Sequence, residues 1–217
     1  MNLIILNKNL KFINNDKQSI VYKIKKNDDL FELKNIIDNK KPNNIISIDF
    51  AVQTNEEITN NEIIVAKETL VINSKPVDWS IPRVDRWIET SHDLNKSICD
   101  VLELENIKHR IGSGLELEFN KDISKRRNAK KWINENIKAN FIDNNSNKIS
   151  KLVNPENHNF SIIRIINNGF PLENSHKVEG FEKVKEFFKL FFFYRLYVRK
   201  FLGELQQKKI LSKISKL

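Results

Sequence analysis

Cysteine is almost missing from this 217-residue chain; Cys99 is the only one. A single thiol allows no intramolecular disulfide framework, and without a CxxC pair there is no thiolate zinc site. Cys99 follows Ile98 in a helical pattern, which suits a small buried apolar residue. Glycine and proline occur five times each, too seldom for long flexible linkers. Uncharged runs stay well short of the roughly 18 apolar residues of a membrane-spanning helix, with Lys189 and Arg195 interrupting the longest candidate. From Met1 to Lys8 no basic segment precedes a long apolar one, so a secretory signal is not expected. Together these absences predict a cytoplasmic protein in a reducing compartment.

What is present is positive charge. Lysine and arginine number 37 against 28 acids, a formal charge of +9 and a pI near 9.5. That balance points to a polyanionic partner, nucleic acid or an anionic membrane surface. Asparagine, lysine and isoleucine dominate the remainder, and AT-rich codons inflating lysine are the alternative source of the charge.

Apolar periodicity predicts an α+β protein with two regions that may share one core. Residues 1–76 read as β-rich with one helix. Strands are expected near 3–6, 10–14, 19–25, 44–52 and 63–72, and a helix from Leu30 to Lys40 ends at Pro42. Residues 77–217 read as mostly helical. Ser80 and Pro82 open a helix with Val84, Trp87, Ile88, Leu94, Ile98 and Leu102 on one face. Gly112-Ser113-Gly114 reads as a turn, followed by a half-exposed strand, Leu115 to Phe119, on which Glu116 and Glu118 share a face. A helix from Asp122 buries Trp132, Ile133, Ile137 and Phe141, and Asp143 to Asn147 reads as a mobile loop. After a last strand, residues 160–166, one long apolar helix spans Val178 to Ile214. Its centre, Phe187 to Val198, is apolar on most sides and suits a core or a subunit interface.

The leading site candidate is the run Lys125-Arg126-Arg127-Asn128-Ala129-Lys130-Lys131, preceded by Lys121. Arg126/Lys130 and Arg127/Lys131 are four apart, so two rows of cations stack on one side of a helix and can straddle phosphates. This predicts a basic nucleic-acid-associated protein that grips the RNA or DNA backbone, within a larger assembly. The alternative is a solvated helix face.

Arg86 and His92, six residues apart, resemble the loose arginine–histidine spacing of HEPN-type ribonucleases. There the histidine would move a proton and the arginine would steady a phosphate. Trp87 departs from that pattern, in which a polar residue follows the arginine. Asp49, in a strand, suits a metal-dependent nuclease of the restriction-enzyme type, but Glu62 and Lys67-Glu68 have the wrong spacing and order for the second strand of such a site. Glu89/His92 and Glu173/His176 repeat a Glu-x-x-His pattern without the bridging carboxylates a di-metal centre needs, so no metal is expected. Gly112-Ser113-Gly114 is neither a phosphate-binding loop nor a dinucleotide fingerprint, and no cofactor is expected. A nuclease of a defence or mobile-element system, and a protein-interaction subunit using the aromatic terminal helix, stand as alternatives. The basic tail from Lys208 to Leu217 suits a partner's groove, an anionic membrane or a lysine-capped helix end.

Overall fold

The computed structural model describes residues 1–7, 19–24, 29–72, 86–117 and 127–167. The expected terminal helix, its Phe187–Val198 core, Glu173/His176 and Lys121, Lys125 and Arg126 lie outside them.

Among the described residues, eight strands form one sheet. They are β1 (Asn2–Asn7), β2 (Ser19–Ile24), β3 (Asn44–Gln53), β4 (Ile63–Ile72), β5 (Ile88–Glu89), β6 (His109–Leu117), β7 (Phe141–Asp143) and β8 (Asn159–Ile166). The helices are α1 (Asp29–Lys40), α2 (His92–Leu104), α3 (Arg127–Trp132), a π-helical turn Ile133–Ile137, and α4 (Ser146–Ser150). Strand order is β2-β1-β3-β7-β6-β4-β5, with β8 bridging β3 and β4. The ring β3–β7–β6–β4–β8 therefore closes on itself as a five-stranded barrel, from which β1 and β2 extend as an open wing.

Alternation along the strands explains how helices cover both faces. On β1, Leu3 and Ile5 pack toward Leu33 and Ile37 of α1. Ile4 and Leu6 pack with Leu94, Ile98 and Leu102 of α2. Helix α1 carries Asp29 and Glu32 in its first turn and Lys40 in its last, which suits its dipole. It stops where Lys41 takes φ 45° ahead of Pro42.

The expectation of a mostly helical second region is overturned, because four of the eight strands, β5 to β8, lie beyond residue 77. Strand pairing competes with helical periodicity at each place. The apolar face from Val84 to Leu102 does not make one helix. Glu89 and Ile88 pair with Glu68 and Thr69, and α2 begins only at His92. Ser91 exchanges backbone and side-chain hydrogen bonds with Phe160 (2.8 and 2.7 Å), tying this junction to the start of β8. Gly112 and Gly114 lie within β6 instead of a turn. A Cβ on Gly114 would sit 2.2 Å from the Phe141 ring, so glycine there makes room for the barrel's largest apolar plug. Phe141 is in β7 and not at a helix end, and Trp132, expected in the core, is 51% exposed.

β4 is one strand with a bulge between Ala66 and Glu68. The bulge frees the Ala66 carbonyl, which accepts from Thr90 Oγ1 (2.6 Å) and Asn95 Nδ2 (3.1 Å). Asn95 Oδ1 then accepts from Ser161 Oγ at 2.6 Å, so α2 is pinned to β4 and β8 together.

Candidate functional site inside the barrel

Register brings the site together. Asp49 and Arg164 are partners on the adjacent parallel strands β3 and β8, and Glu116 and Asp143 are partners on β6 and β7. All four side chains are buried: Asp49 is 5% exposed, Asp143 1%, and Glu116 and Arg164 fully enclosed. Helix α4 follows β7 directly and adds Asn145, Ser146 and Lys148.

Arg164 is the hub. Its Nε donates to Asp143 Oδ2 at 2.5 Å. Nη1 donates to the Ser47 carbonyl and hydroxyl, both at 3.2 Å, and to the Ile163 carbonyl at 3.0 Å. Nη2 donates to Asn145 Oδ1 at 2.9 Å, and Asn145 Nδ2 donates onward to Asp49 Oδ2 at 2.7 Å. Asp143 Oδ1 accepts from the Ser146 N–H (3.3 Å) and hydroxyl (2.7 Å). Glu116 Oε2 accepts the Lys148 backbone N–H at 2.9 Å, and Lys148 Nζ forms an ion pair with Oε1 at 3.1 Å. An arginine with five donors and no acceptor thus links three strands and a helix start.

Burial pushes the Asp49 carboxyl up. Arg164, the Phe50 N–H and Asn145 pull it down, and Asp143 adds to the rise. Burial also raises Glu116, reinforced by the neighbouring Asp143 charge and opposed by Lys148. Carboxyls displaced upward keep their protons to higher pH than free ones, a property that acid–base chemistry uses.

Of the residues singled out from the sequence, Asp49 enters this cluster, and so does Glu116, noted there only for sharing a strand face with Glu118. His92 opens α2 with its imidazole 90% exposed, 3.4 Å from Asp93. Arg86 is half-buried just ahead of β5. Arg127 pairs with Glu56 at 2.6 Å and Lys131 approaches Glu135 at 3.7 Å, so two of the described cations already face carboxylates. Burial lowers Lys130. Glu62 is engaged by Thr59, Lys108 and Arg110, and Glu68 by Ser113 Oγ at 2.5 Å. Among the described residues no group of His, Cys, Asp and Glu is arranged to hold a metal.

The sequence reading missed Arg164, Asp143, Asn145 and Lys148, and it gave Glu116 no role. One signal was available: a charge inside an unbroken aliphatic run, as in Ile162-Ile163-Arg164-Ile165-Ile166, is exceptional unless it is paired. The segment read as a mobile loop, Asp143 to Asn147, forms the floor of the cluster, with Asp143, Ser146 and Asn147 each at most 2% exposed.

The strand-rich architecture with its closed five-stranded barrel core is similar in fold to solved nucleosidases. Campylobacter jejuni 5′-methylthioadenosine/S-adenosyl homocysteine nucleosidase matches over 100% of both chains with TM-score 0.64 at 16% identity. Native futalosine hydrolase of Helicobacter pylori matches 76% of this chain and 83% of its own, with TM-score 0.61 at 15% identity. The 5′-methylthioadenosine/S-adenosylhomocysteine nucleosidase of Helicobacter pylori gives the same TM-score over 76% and 84%, at 16% identity. The sequence matches no family model and no curated protein.

This likeness overturns the expectation of a nucleic-acid-associated subunit, together with its nuclease and interaction-subunit alternatives and its nucleic-acid partner. The neighbours sharing the fold are enzymes named for small nucleosides. On α3 the positive charge is partly neutralised, Arg127 by Glu56 and Lys131 by Glu135. Among the described residues no helix is long and apolar enough to cross a membrane.

Proposed function

We propose that the protein is a small-molecule nucleosidase, hydrolysing the N-glycosidic bond of a nucleoside. The observation that carries this reading is the fold match, which extends over the whole chain to a 5′-methylthioadenosine/S-adenosyl homocysteine nucleosidase. The interior supplies suitable chemistry. Departure of a base from a ribosyl centre needs a proton on the leaving nitrogen and negative charge near the developing cation. Burial raises the Asp49 and Glu116 carboxyls, and Asp143, paired with Arg164, lies beside them in one enclosed cluster.

The test is chromatography of free base released from 5′-methylthioadenosine, S-adenosylhomocysteine and futalosine, with heat-unfolding curves taken alongside. Base release that is lost in Asp49→Asn is the expected result. No release and no heat stabilisation by any of the three would overturn the proposal.

One observation favours a second reading, nucleoside binding without cleavage. Asp143 and Glu116 are already neutralised by Arg164 and Lys148, which leaves less free charge for the reaction. Stabilisation by a nucleoside that is recovered intact would select it. We also propose a cytoplasmic setting, which a chain with a single, half-buried cysteine supports.

A further inference from the structure

We propose that helix α3 and the π-helical turn after it form a two-position strap at the rim of the barrel, hinged at Lys138 and latched by the Arg127–Glu56 ion pair. In the position seen here the turn is wound as π. In the other it is wound as α, with α3 rotated about its own axis.

Two backbone conformations in this segment are not asked for by the local sequence. α3 runs without a break into Ile133–Ile137, where the chain winds as a π-helix. Such a turn takes an extra residue into the helix; it is rare and clusters at functional sites. Ile133-Asn134-Glu135-Asn136-Ile137 has no glycine or proline to force it. The turn ends at Lys138, which adopts φ 63° and ψ 28°. That left-handed conformation crowds a β-carbon and is ordinarily left to glycine or asparagine. Two disfavoured conformations in succession persist where their surroundings hold them.

The surroundings are firm on one side of the hinge and loose on the other. Beyond Lys138, the Ala139 carbonyl accepts from Thr54 Oγ1 at 2.6 Å and the Asn140 carbonyl from the Thr54 N–H at 3.0 Å. The Asn140 N–H donates to the Ser113 carbonyl at 2.7 Å. Phe141 then enters β7 between β3 and β6, two residues ahead of Asp143. Before the hinge, α3 buries no residue. It is tied to the loop leaving β3 by Arg127, whose Nε and Nη2 meet Glu56 at 2.6 and 3.0 Å, both partners being largely exposed.

The core tolerates both windings. Ile133 and Ile137, buried and four residues apart, share a face in an α-helix too. Rewinding passes one residue out of the turn, which rotates α3 by roughly 100° and moves it by about 1.5 Å, one residue's share of a helix. Lys138 then leaves its left-handed conformation, and that relief offsets the loss of the latch. An exposed pair is weak and screened by salt, so the balance between the two positions is easily shifted. The hinge leads straight into the strand that carries Asp143, which sets the strap at the border of the candidate site.

The test is fluorine NMR relaxation dispersion of the full chain labelled with 5-fluorotryptophan. Trp132, the last residue of α3, is the reporter, identified by the signal lost in Trp132→Phe; buried Trp87 is the control. Microsecond-to-millisecond exchange at Trp132 and not at Trp87 is the expected result. Arg127→Gln breaks the latch and should raise the minor population about two- to fivefold. Deleting Asn136, an exposed residue of the turn, leaves α as the fitting winding and should abolish the exchange. Should that chain fail to fold, Lys138→Gly takes its place: glycine relieves the left-handed residue and should lower the minor population about fivefold. A Trp132 signal without exchange in both the parent and Arg127→Gln overturns the proposal. So does exchange shared with Trp87, or exchange unaltered by the deletion or by Lys138→Gly.

Discussion

Replacing Glu62 by glutamine probes how the start of β4 is anchored. The Glu62 side chain is fully enclosed, and its Oε2 accepts from the Thr59 N–H (2.9 Å), the Thr59 hydroxyl (3.0 Å) and Lys108 Nζ (3.0 Å). Oε1 accepts from Arg110 Nε. Burial alone would raise this carboxyl; Thr59, Arg110 and Lys108 outweigh it and hold it at about 2, against an ordinary 4.5. That displacement corresponds to about 3 kcal/mol of linkage. Lys108 is 59% exposed and Arg110 32%, so solvent screening reduces the figure to about 2 kcal/mol. Because the folded value is depressed, the stabilisation is complete above the unfolded value of 4.5 and fades as pH falls toward 2. Urea unfolding followed by tryptophan fluorescence, with Trp87 buried at 6% exposure as reporter, measures it directly. Glu62→Gln is expected to be about 2 kcal/mol less stable than the parent at neutral pH, with the gap narrowing by roughly two-fifths at about pH 3.5. A gap that stays constant across that range would refute the ion-pair account and leave only hydrogen-bond loss.

Other substitutions test the packing and the charges. Arg164→Met should cost about 3–5 kcal/mol in urea unfolding by stranding Asp143, and adding Asp143→Leu should recover most of it; no recovery would deny the pairing. Gly114→Ala forces a Cβ against the Phe141 ring and should lower stability by about 1–3 kcal/mol. A neutral result would mean the ring moves freely. Arg127→Gln breaks a pair whose partners are 81% and 72% exposed, and its unfolding midpoint should stay within the scatter of repeated measurements.

The open wing and its helix were legible because their signals are local. The stripe Leu30 to Ile37 and the strands at 19–24 and 44–53 need no partner to be recognised, and all three appear where the pattern put them. The second region was not legible, since period-3.6 spacing from Val84 to Leu102 conceals a two-residue strand that exists only because β4 is beside it. Asn-rich sequence from Asp143 to Asn147 imitates a solvated loop, and its burial follows from Arg164, 21 residues beyond Asp143. Asp49 was visible as an acid in a strand, whereas its partners required the register of β3 with β8. Sequence-local reasoning finds amphipathic faces, but it does not find a barrel interior whose polar groups come from four strands.

The double pairing of β8 has a consequence for how the chain assembles. β3 and β4 are made early, yet each keeps an unpaired edge until residues 159–166 arrive to lie between them. The ring then closes by contacts spanning more than a hundred residues, such as Asn44 with Asn159, a high-separation step that slows folding. During synthesis those waiting edges are bare hydrogen-bonding templates bordered by isoleucine. The vulnerable moment for this protein is therefore the interval before β8 emerges, and truncation anywhere ahead of Asn159 should yield aggregate instead of a smaller folded unit.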